Sequence, residues 1–174
     1  MSMFLEVSRL RPGAETITNR YDPSDFPSTG QDFSVSAPVE FTAEVSKDEK
    51  KVRLAGRVTS TLSADCSRCL EPFAIPVNAS FDALLLPAST DAAEEEREVQ
   101  AEDLGVSYYR DDTIDLGELM REQFYLALPM KPLCRPDCRG LCPVCGINRN
   151  HESCTCQPEW VDPRLEGLKR FIQE

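Results

Sequence analysis

The chain has 174 residues, of which 41% are hydrophobic, enough to bury the core of one ordinary domain with a small appendage. It carries 19 Lys and Arg against 30 Asp and Glu, a formal net charge of −11, so it lacks the basic excess with which proteins hold RNA or DNA through counterion release. An acidic surface attracts basic partners or simply keeps a protein soluble, and both interpretations stay open at this point.

The N-terminal residues and the apolar runs bear on where the protein resides. Residues 1–20 lack a basic start followed by an apolar stretch, so no signal peptide is expected. The longest apolar runs are far too short to cross a bilayer. We therefore expect a cytoplasmic protein, and in a reducing compartment its eight cysteines favour metal or redox chemistry over disulfides.

Residues 1–38 predict one strand and a long loop. Residues 3–10 are compatible with a first strand. Residues 13–30 contain Pro23, Pro27 and several Asp and Ser residues, which is typical of a loop with room for a short helix.

Residues 38–86 predict antiparallel strands. Apolar and polar side chains alternate over 39–45, 52–62 and 73–85, as expected for strands with one face on a core. A polar turn at 47–50 separates the first two, and Pro87 ends the last. Such short links favour a meander over parallel crossovers.

An acidic segment follows at about 88–103. Residues 91–103 hold seven acidic side chains against the single base Arg97. This composition favours a solvated linker over an acidic arm for a basic partner.

One short strand and two helices are predicted beyond it. Tyr108 and Tyr109 fit a short strand. Asp115 is a suitable N-cap for a helix over 116–127, which carries apolar residues at helical spacing. Asp162 is placed to cap a last helix with Pro163 at its first position.

These elements predict an α+β fold: an antiparallel meander of about five strands, a packed helix, a C-terminal zinc-knuckle segment and a terminal helix. We expect an α+β core domain over 1–128, including the acidic linker, and a zinc-binding segment with the terminal helix over 129–174.

Six cysteines crowd into residues 134–156 with the spacing C-x3-C-x3-C-x2-C-x8-C-x-C. They are Cys134, Cys138, Cys142, Cys145, Cys154 and Cys156. A structural zinc site takes four soft ligands, usually as two close pairs. Cys142 and Cys145, followed by Gly146, form one pair on a tight turn. The other four leave the second pair open, with a preference for Cys138 and Cys156.

Cys66 and Cys69 lie far upstream. With the two thiols that one zinc leaves over, they would complete a second site, but free thiols are the favoured interpretation. A redox pair is disfavoured, because Cys66 and Cys69 fall between two strands and not at the start of a helix. The ferredoxin cysteine spacing is absent, which argues against an iron–sulfur cluster.

Catalytic residues are not legible in the sequence. His151 is the single histidine and lies in a polar loop where exposure is expected, whereas catalytic zinc normally uses His or carboxylate ligands. Asp111 and Asp112 are adjacent carboxylates that could bind Mg²⁺ in a nuclease, but they are more typical of a turn.

Four segments together resemble the YceD family of bacterial and plastid proteins, which are named for large ribosomal RNA subunit accumulation. They are Cys-Ser-Arg-Cys-Leu at 66–70, Ala-Leu-Pro at 127–129, Leu-Cys-Arg-Pro-Asp-Cys-Arg-Gly-Leu-Cys-Pro-Val-Cys-Gly at 133–146 and Asp-Pro-Arg-Leu-Glu-Gly-Leu-Lys at 162–169. The sequence differs slightly from many relatives at 147–150. The resemblance spans most of the chain.

The resemblance implies a ribosome biogenesis factor that supports 23S rRNA accumulation or processing and assembly of the large ribosomal subunit. Family genes often lie beside that of the ribosomal protein bL32, which implies a shared pathway. The expected partner is a large-subunit precursor, through its 23S rRNA, a basic ribosomal protein such as bL32, or both. Membrane and DNA are not expected partners.

Several functions stay open. Arg135, Arg139 and Arg149 could form a local basic patch for RNA or merely balance thiolate charge. Non-catalytic binding is the leading hypothesis. The alternatives are a thiol oxidoreductase, an RNA-processing enzyme, or a zinc-stabilised adaptor unrelated to ribosomes.

Overall fold

The structure, a computed structural model, describes residues 3–27, 32–88 and 106–156. Within these ranges one α-helix, α1, spans Leu116–Ala127, and single 3-10 turns span Val7–Arg9 and Pro23–Asp25. The strands are β1 (Phe4–Glu6), β2 (Gly13–Tyr21), β3 (Phe33–Val35), β4 (Val39–Asp48), β5 (Lys51–Asp65), β6 (Pro72–Pro87), β7 (Val106–Tyr109) and β8 (Thr113–Asp115). The predicted terminal helix and nearly all of the predicted acidic linker lie outside the described residues. The division into domains at residue 128 stays a prediction.

Most of the strands form one sheet in the order β2-β4-β5-β6-β7, with β3 also pairing with β5. β4, β5 and β6 are successive antiparallel neighbours, as the short links predicted. The sheet as a whole is not the simple meander that was expected, because β2 pairs with β4 and β7 runs parallel to β6. β1 and β8 pair separately as a two-stranded sheet.

The loop predicted over 13–30 was wrong at its start, where β2 forms a nine-residue strand. Only Ile17 and Tyr21 supply sizeable apolar side chains there, so the sequence pattern is weak. The strand forms because it pairs with β4 along its whole length, from Gly13 opposite Lys47 to Tyr21 opposite Val39. Edge strands depend on such pairing more than on their own hydrophobicity. The predicted first strand is also shorter than expected, ending at Glu6.

The helix predicted over 116–127 is confirmed, with its boundaries set by local chemistry. The Asp115 side chain accepts a hydrogen bond of 3.0 Å from the Glu118 amide, which caps the N-terminus. Phe124 is fully buried and makes edge-on contacts with Phe26 and Phe33, at centroid distances of 5.8 and 6.1 Å. These contacts place α1 against the main core.

The β5–β6 hairpin positions the residues of chemical interest. Its register runs from Val52 opposite Leu85 to Asp65 opposite Pro72, so the six-residue turn at 66–71 sits at its tip. This confirms that Cys66 and Cys69 fall between two strands, and it places them at the corner of a hairpin. No helix among the described ranges is long and apolar enough to span a bilayer.

Candidate metal centres

All eight cysteines are free thiols that gather into two groups of four, with the sulfur atoms of each group within 4.8 Å of one another. We call the first group the inner tetrad: Cys66, Cys69, Cys134 and Cys138. We call the second group the outer tetrad: Cys142, Cys145, Cys154 and Cys156. Each group could bind a metal ion.

This grouping bears on two sequence-based expectations and corrects one of them. Cys138 belongs to the inner tetrad and Cys156 to the outer one, so the preferred pairing of these two residues was wrong. The favoured interpretation that the spare thiols are free stays a prediction, but Cys66 and Cys69 do meet Cys134 and Cys138, as a second site would require. The physical reason is long-range: the hairpin tip lies beside the C-terminal segment, which sequence spacing cannot reveal.

The inner tetrad is formed by two segments distant in sequence. The Cys66 and Cys138 sulfurs are 3.8 Å apart, and those of Cys69 and Cys134 are 3.7 Å apart. Four thiolates at the zinc–sulfur bond length in a tetrahedron lie about 3.8 Å from one another. Cys66, Cys69 and Cys138 are at most 3% exposed. The site is therefore largely buried, with Cys134 partly exposed, and has the dimensions of a tetrahedral thiolate centre.

The outer tetrad is built on a small hairpin of the C-terminal segment. Leu141 and Asn148 form an antiparallel bridge, and the Cys142 amide donates to the Ile147 carbonyl over 2.8 Å. This closes the turn that carries Cys142 and Cys145, while Cys154 and Cys156 approach from the following residues. Cys142 is buried and Cys145 is exposed, so the outer tetrad lies nearer the surface than the inner one.

The two CxxC turns share one local geometry. The Leu70 amide donates to the Cys66 carbonyl, and the Gly146 amide donates to the Cys142 carbonyl, each over 2.9 Å. The residue after the second cysteine is left-handed in both turns, with φ of 59° at Leu70 and 74° at Gly146. Glycine adopts this conformation without strain, whereas a leucine pays about 1–2 kcal/mol. Leu70 is thus held there by the structure around it.

Thiol ionisation is uneven in each tetrad. Burial raises the pKa of Cys66, but amide donors from Cys134, Cys69 and Arg68 outweigh it and lower that pKa to about 6. In contrast, burial and the neighbouring thiols raise the pKa of Cys134 to about 12. Backbone N–H dipoles stabilise the thiolate of Cys66, whereas ionisation of Cys134 beside it is unfavourable unless a cation compensates the added negative charge.

The outer tetrad repeats this pattern. Amide donors from Cys145 and then Val144 lower the pKa of Cys142 to about 6 despite its burial. The adjacent thiol of Cys145, followed by burial, raises the pKa of Cys156 to about 12. A divalent cation would remove the repulsion in both groups, so the donor sets fit a thiophilic metal such as zinc.

Polar contacts near the tetrads involve His151, which sequence reasoning discussed, and also Asn150 and Glu71, which it did not single out. Asn150 donates to the Cys138 sulfur over 3.3 Å. The His151 Nε2 lies 2.8 Å from a Glu71 carboxylate oxygen, and the other carboxylate oxygen lies 3.8 Å from the Cys69 sulfur. His151 is exposed, as expected. Asn150 is a polar residue between the cysteine pairs 142/145 and 154/156, and this position in the sequence could have identified it.

The remaining candidate residues take structural positions. Asp111 and Asp112 form a turn with φ of 52° and 55°, as predicted. Of the three arginines in the suggested basic patch, Arg135 lies 3.6 Å from Asp137 and also donates to Asn150. Arg139 and Arg149 have exposed side chains. All three residues belong to the segment that carries the cysteines.

Comparison with known proteins places this chain in a family. The family model described as large ribosomal RNA subunit accumulation protein YceD matches residues 54–172, more than half of the chain. An uncharacterized protein of Mycobacterium tuberculosis is 31% identical over 176 residues, covering 98% of this chain and 81% of its own.

Two further relatives come from a plant and from another bacterium. The chloroplastic large ribosomal RNA subunit accumulation protein YCED homolog 1 of Zea mays is 29% identical over 155 residues, covering 71% of this chain and 50% of its own. The uncharacterized protein YlbN of Bacillus subtilis is 26% identical over 139 residues, which cover 79% of this chain and 76% of YlbN. No solved structure matches significantly. The extent of the family match shows that this chain belongs to the YceD family.

Proposed function

We propose that the protein is a non-catalytic ribosome biogenesis factor that supports 23S rRNA accumulation or processing by binding a precursor of the large ribosomal subunit in the cytoplasm. Family membership carries the proposal, because the plant relatives are named for accumulation of large-subunit ribosomal RNA. The geometry supports the proposed mode of action and the proposed kind of partner.

The outer tetrad supports a structural role for zinc. We assign zinc to Cys142, Cys145, Cys154 and Cys156, four of the six clustered cysteines. A zinc ion with four protein ligands has no open position for substrate or water, whereas catalytic zinc sites keep one. Such a centre shapes a binding surface and performs no reaction of its own.

The charge balance favours a basic protein partner over direct contact with RNA. A zinc ion with four thiolates carries a net charge of about −2, which offsets nearby arginines. Arg135 is further engaged by Asp137 and Asn150. With a net charge of −11, the chain attracts the basic segments typical of ribosomal proteins, of which bL32 is one candidate.

An acidic groove is the place we propose for such a segment. It has a volume of about 810 Å³ and lies where β7, β8 and α1 meet. Tyr108, Tyr109 and Leu119 contribute apolar surface. Among its described lining residues, Arg110 is the one basic residue, and four are acidic. The acidic residues are Asp111, Asp115, Glu118 and Glu122. None of these carboxylates is ion-paired with another described residue.

The groove therefore suits one extended, Lys- and Arg-rich segment of a ribosomal protein. The carboxylates would attract the basic side chains, while the tyrosines and Leu119 would contact their aliphatic stems. A phosphate backbone would be repelled by the same carboxylates.

The experiment is affinity capture with cross-linking from cells that express the protein, analysed for both RNA and protein. We expect large-subunit precursors, and we expect basic ribosomal proteins to stay bound after nuclease treatment at moderate salt. Capture of naked 23S rRNA alone would refute the protein-binding mode. Failure to co-sediment with any large-subunit precursor would refute the ribosomal role itself.

A further inference from the structure

We propose that the inner tetrad is a second zinc site, and that its metal fastens residues 130–156 to the tip of the β5–β6 hairpin. The inference goes beyond the proposed function and does not depend on a ribosomal role. It concerns Cys66, Cys69, Cys134 and Cys138, which sequence spacing alone does not join.

The position of the ligands is the first argument. Cys69 and Cys134 are 65 residues apart in sequence, yet their sulfurs are 3.7 Å apart. Cys66 is fully buried. Four sulfurs at such distances are too far apart for disulfides, which need about 2.05 Å, and have the spacing expected around a tetrahedral zinc ion.

The weakness of the remaining interface is the second argument. Outside the sulfurs, the Ser67 amide donates to the Pro132 carbonyl over 2.8 Å, and the Leu141 amide donates to the Arg68 carbonyl over 3.0 Å. The guanidinium of Arg68 donates to the carbonyls of Cys138 and Pro136, over 2.9 and 3.4 Å, and the exposed His151 Nε2 lies 2.8 Å from the Glu71 carboxylate. The apolar side chains packed on the buried cysteines, Phe73 and Leu133, are themselves only partly buried. These contacts bury little apolar surface, so a metal with two ligands from each side would fasten the segment more firmly than they do.

Asn150 gives the third argument, because it links the two tetrads. It lies in the loop between Cys145 and Cys154 of the outer tetrad, and its side-chain nitrogen Nδ2 donates to the Cys138 sulfur over 3.3 Å. Its side-chain oxygen accepts from the Arg139 amide over 2.8 Å, which fixes its orientation. A donor held on a ligand in this way typically raises metal affinity 10- to 100-fold. Asn150 is thus a positioning residue through which a folded outer site strengthens the inner one.

The test compares zinc-loaded full-length variants by native mass spectrometry and hydrogen exchange. Cys66→Ser/Cys69→Ser should retain one zinc, with faster exchange at residues 130–141 and a smaller increase at 142–156, which keep the outer metal but lose the link through Asn150. Retention of two zinc ions, or wild-type exchange at 130–141, would overturn the proposal.

A milder variant covers the case in which the double cysteine variant fails to fold. Asn150→Ala should still bind two zinc ions. A competing chelator should remove one of them at a concentration 10- to 100-fold lower than the concentration that wild type requires. Asn78→Ala, an exposed amide on β6, is the matched control and should behave as wild type. Identical zinc retention in Asn150→Ala and Asn78→Ala would contradict the link between the sites.

Discussion

The double substitution Glu118→Gln/Glu122→Gln distinguishes the effect of the acidic groove residues on folding stability from their effect on the binding of a basic peptide. The side chains are one helical turn apart on α1, and both line the groove. Like charges at this spacing destabilise a helix by about 0.2–0.5 kcal/mol. The variant should therefore be as stable as wild type or slightly more so, with a melting temperature raised by about 1–2 °C.

Binding of a basic peptide should change in the opposite direction. Each exposed ion pair contributes about 0.2–1 kcal/mol, so losing two should weaken binding roughly 2- to 30-fold. The assay is fluorescence anisotropy with a labelled Arg- and Lys-rich peptide at low and physiological salt. The difference between wild type and variant should shrink as salt rises.

The matched control is Glu40→Gln/Glu44→Gln, which removes two exposed carboxylates from β4, far in sequence from the groove lining. Equal loss of peptide affinity in both double variants would show that net charge alone attracts the peptide, and the groove assignment would be refuted.

The pH dependence of stability provides a second signature of the same site. Burial, and then the charge of Glu118, raises the pKa of Glu122. The folded state thus holds this proton more tightly than the unfolded chain does, and stability is lost as pH rises from the unfolded pKa through the raised folded pKa. Urea titrations across that window should show this loss in wild type and a smaller loss in Glu122→Gln.

Three further substitutions test the scaffold around the sites. Phe124→Ala should cost about 3–5 kcal/mol in urea unfolding, because the side chain is fully buried, while the neighbouring exposed Leu126→Ala should change stability by less than about 0.5 kcal/mol. Equal effects would place α1 elsewhere. Asp115→Ala removes the helix cap and should cost about 1 kcal/mol in the same assay; no change would mean that the cap is not formed in solution. Gly140→Ala should speed hydrogen exchange at residues 130–141, because φ is 68° and the added carbon would lie 2.8 Å from the Arg68 carbonyl oxygen; wild-type exchange would contradict that close approach.

The strands and helix that sequence reasoning identified correctly have strong local patterns. β6 alternates over 73–85, and α1 combines an apolar stripe with the Asp115 cap. β2 was missed because its few apolar residues give no alternation, and its structure depends on pairing with β4. Local pattern predicts elements that carry their own hydrophobic face, and it fails where a neighbour supplies the stability.

The candidate site divides in the same way. The turn with Cys142 and Cys145 is local, so its spacing was informative. The inner tetrad depends on a contact between Cys66 and Cys138, 72 residues apart, which no spacing rule contains. The count of eight cysteines suggests that a second site is possible. Its ligands can be identified only from the contact between the hairpin tip and the C-terminal segment.

The most direct test of the account is the zinc content of the full-length protein, measured by native mass spectrometry on freshly purified wild type. Two zinc ions per chain are predicted, one for each tetrad. A metal-free chain that remains ordered through residues 130–156 would contradict the claim that paired thiolate centres shape this protein.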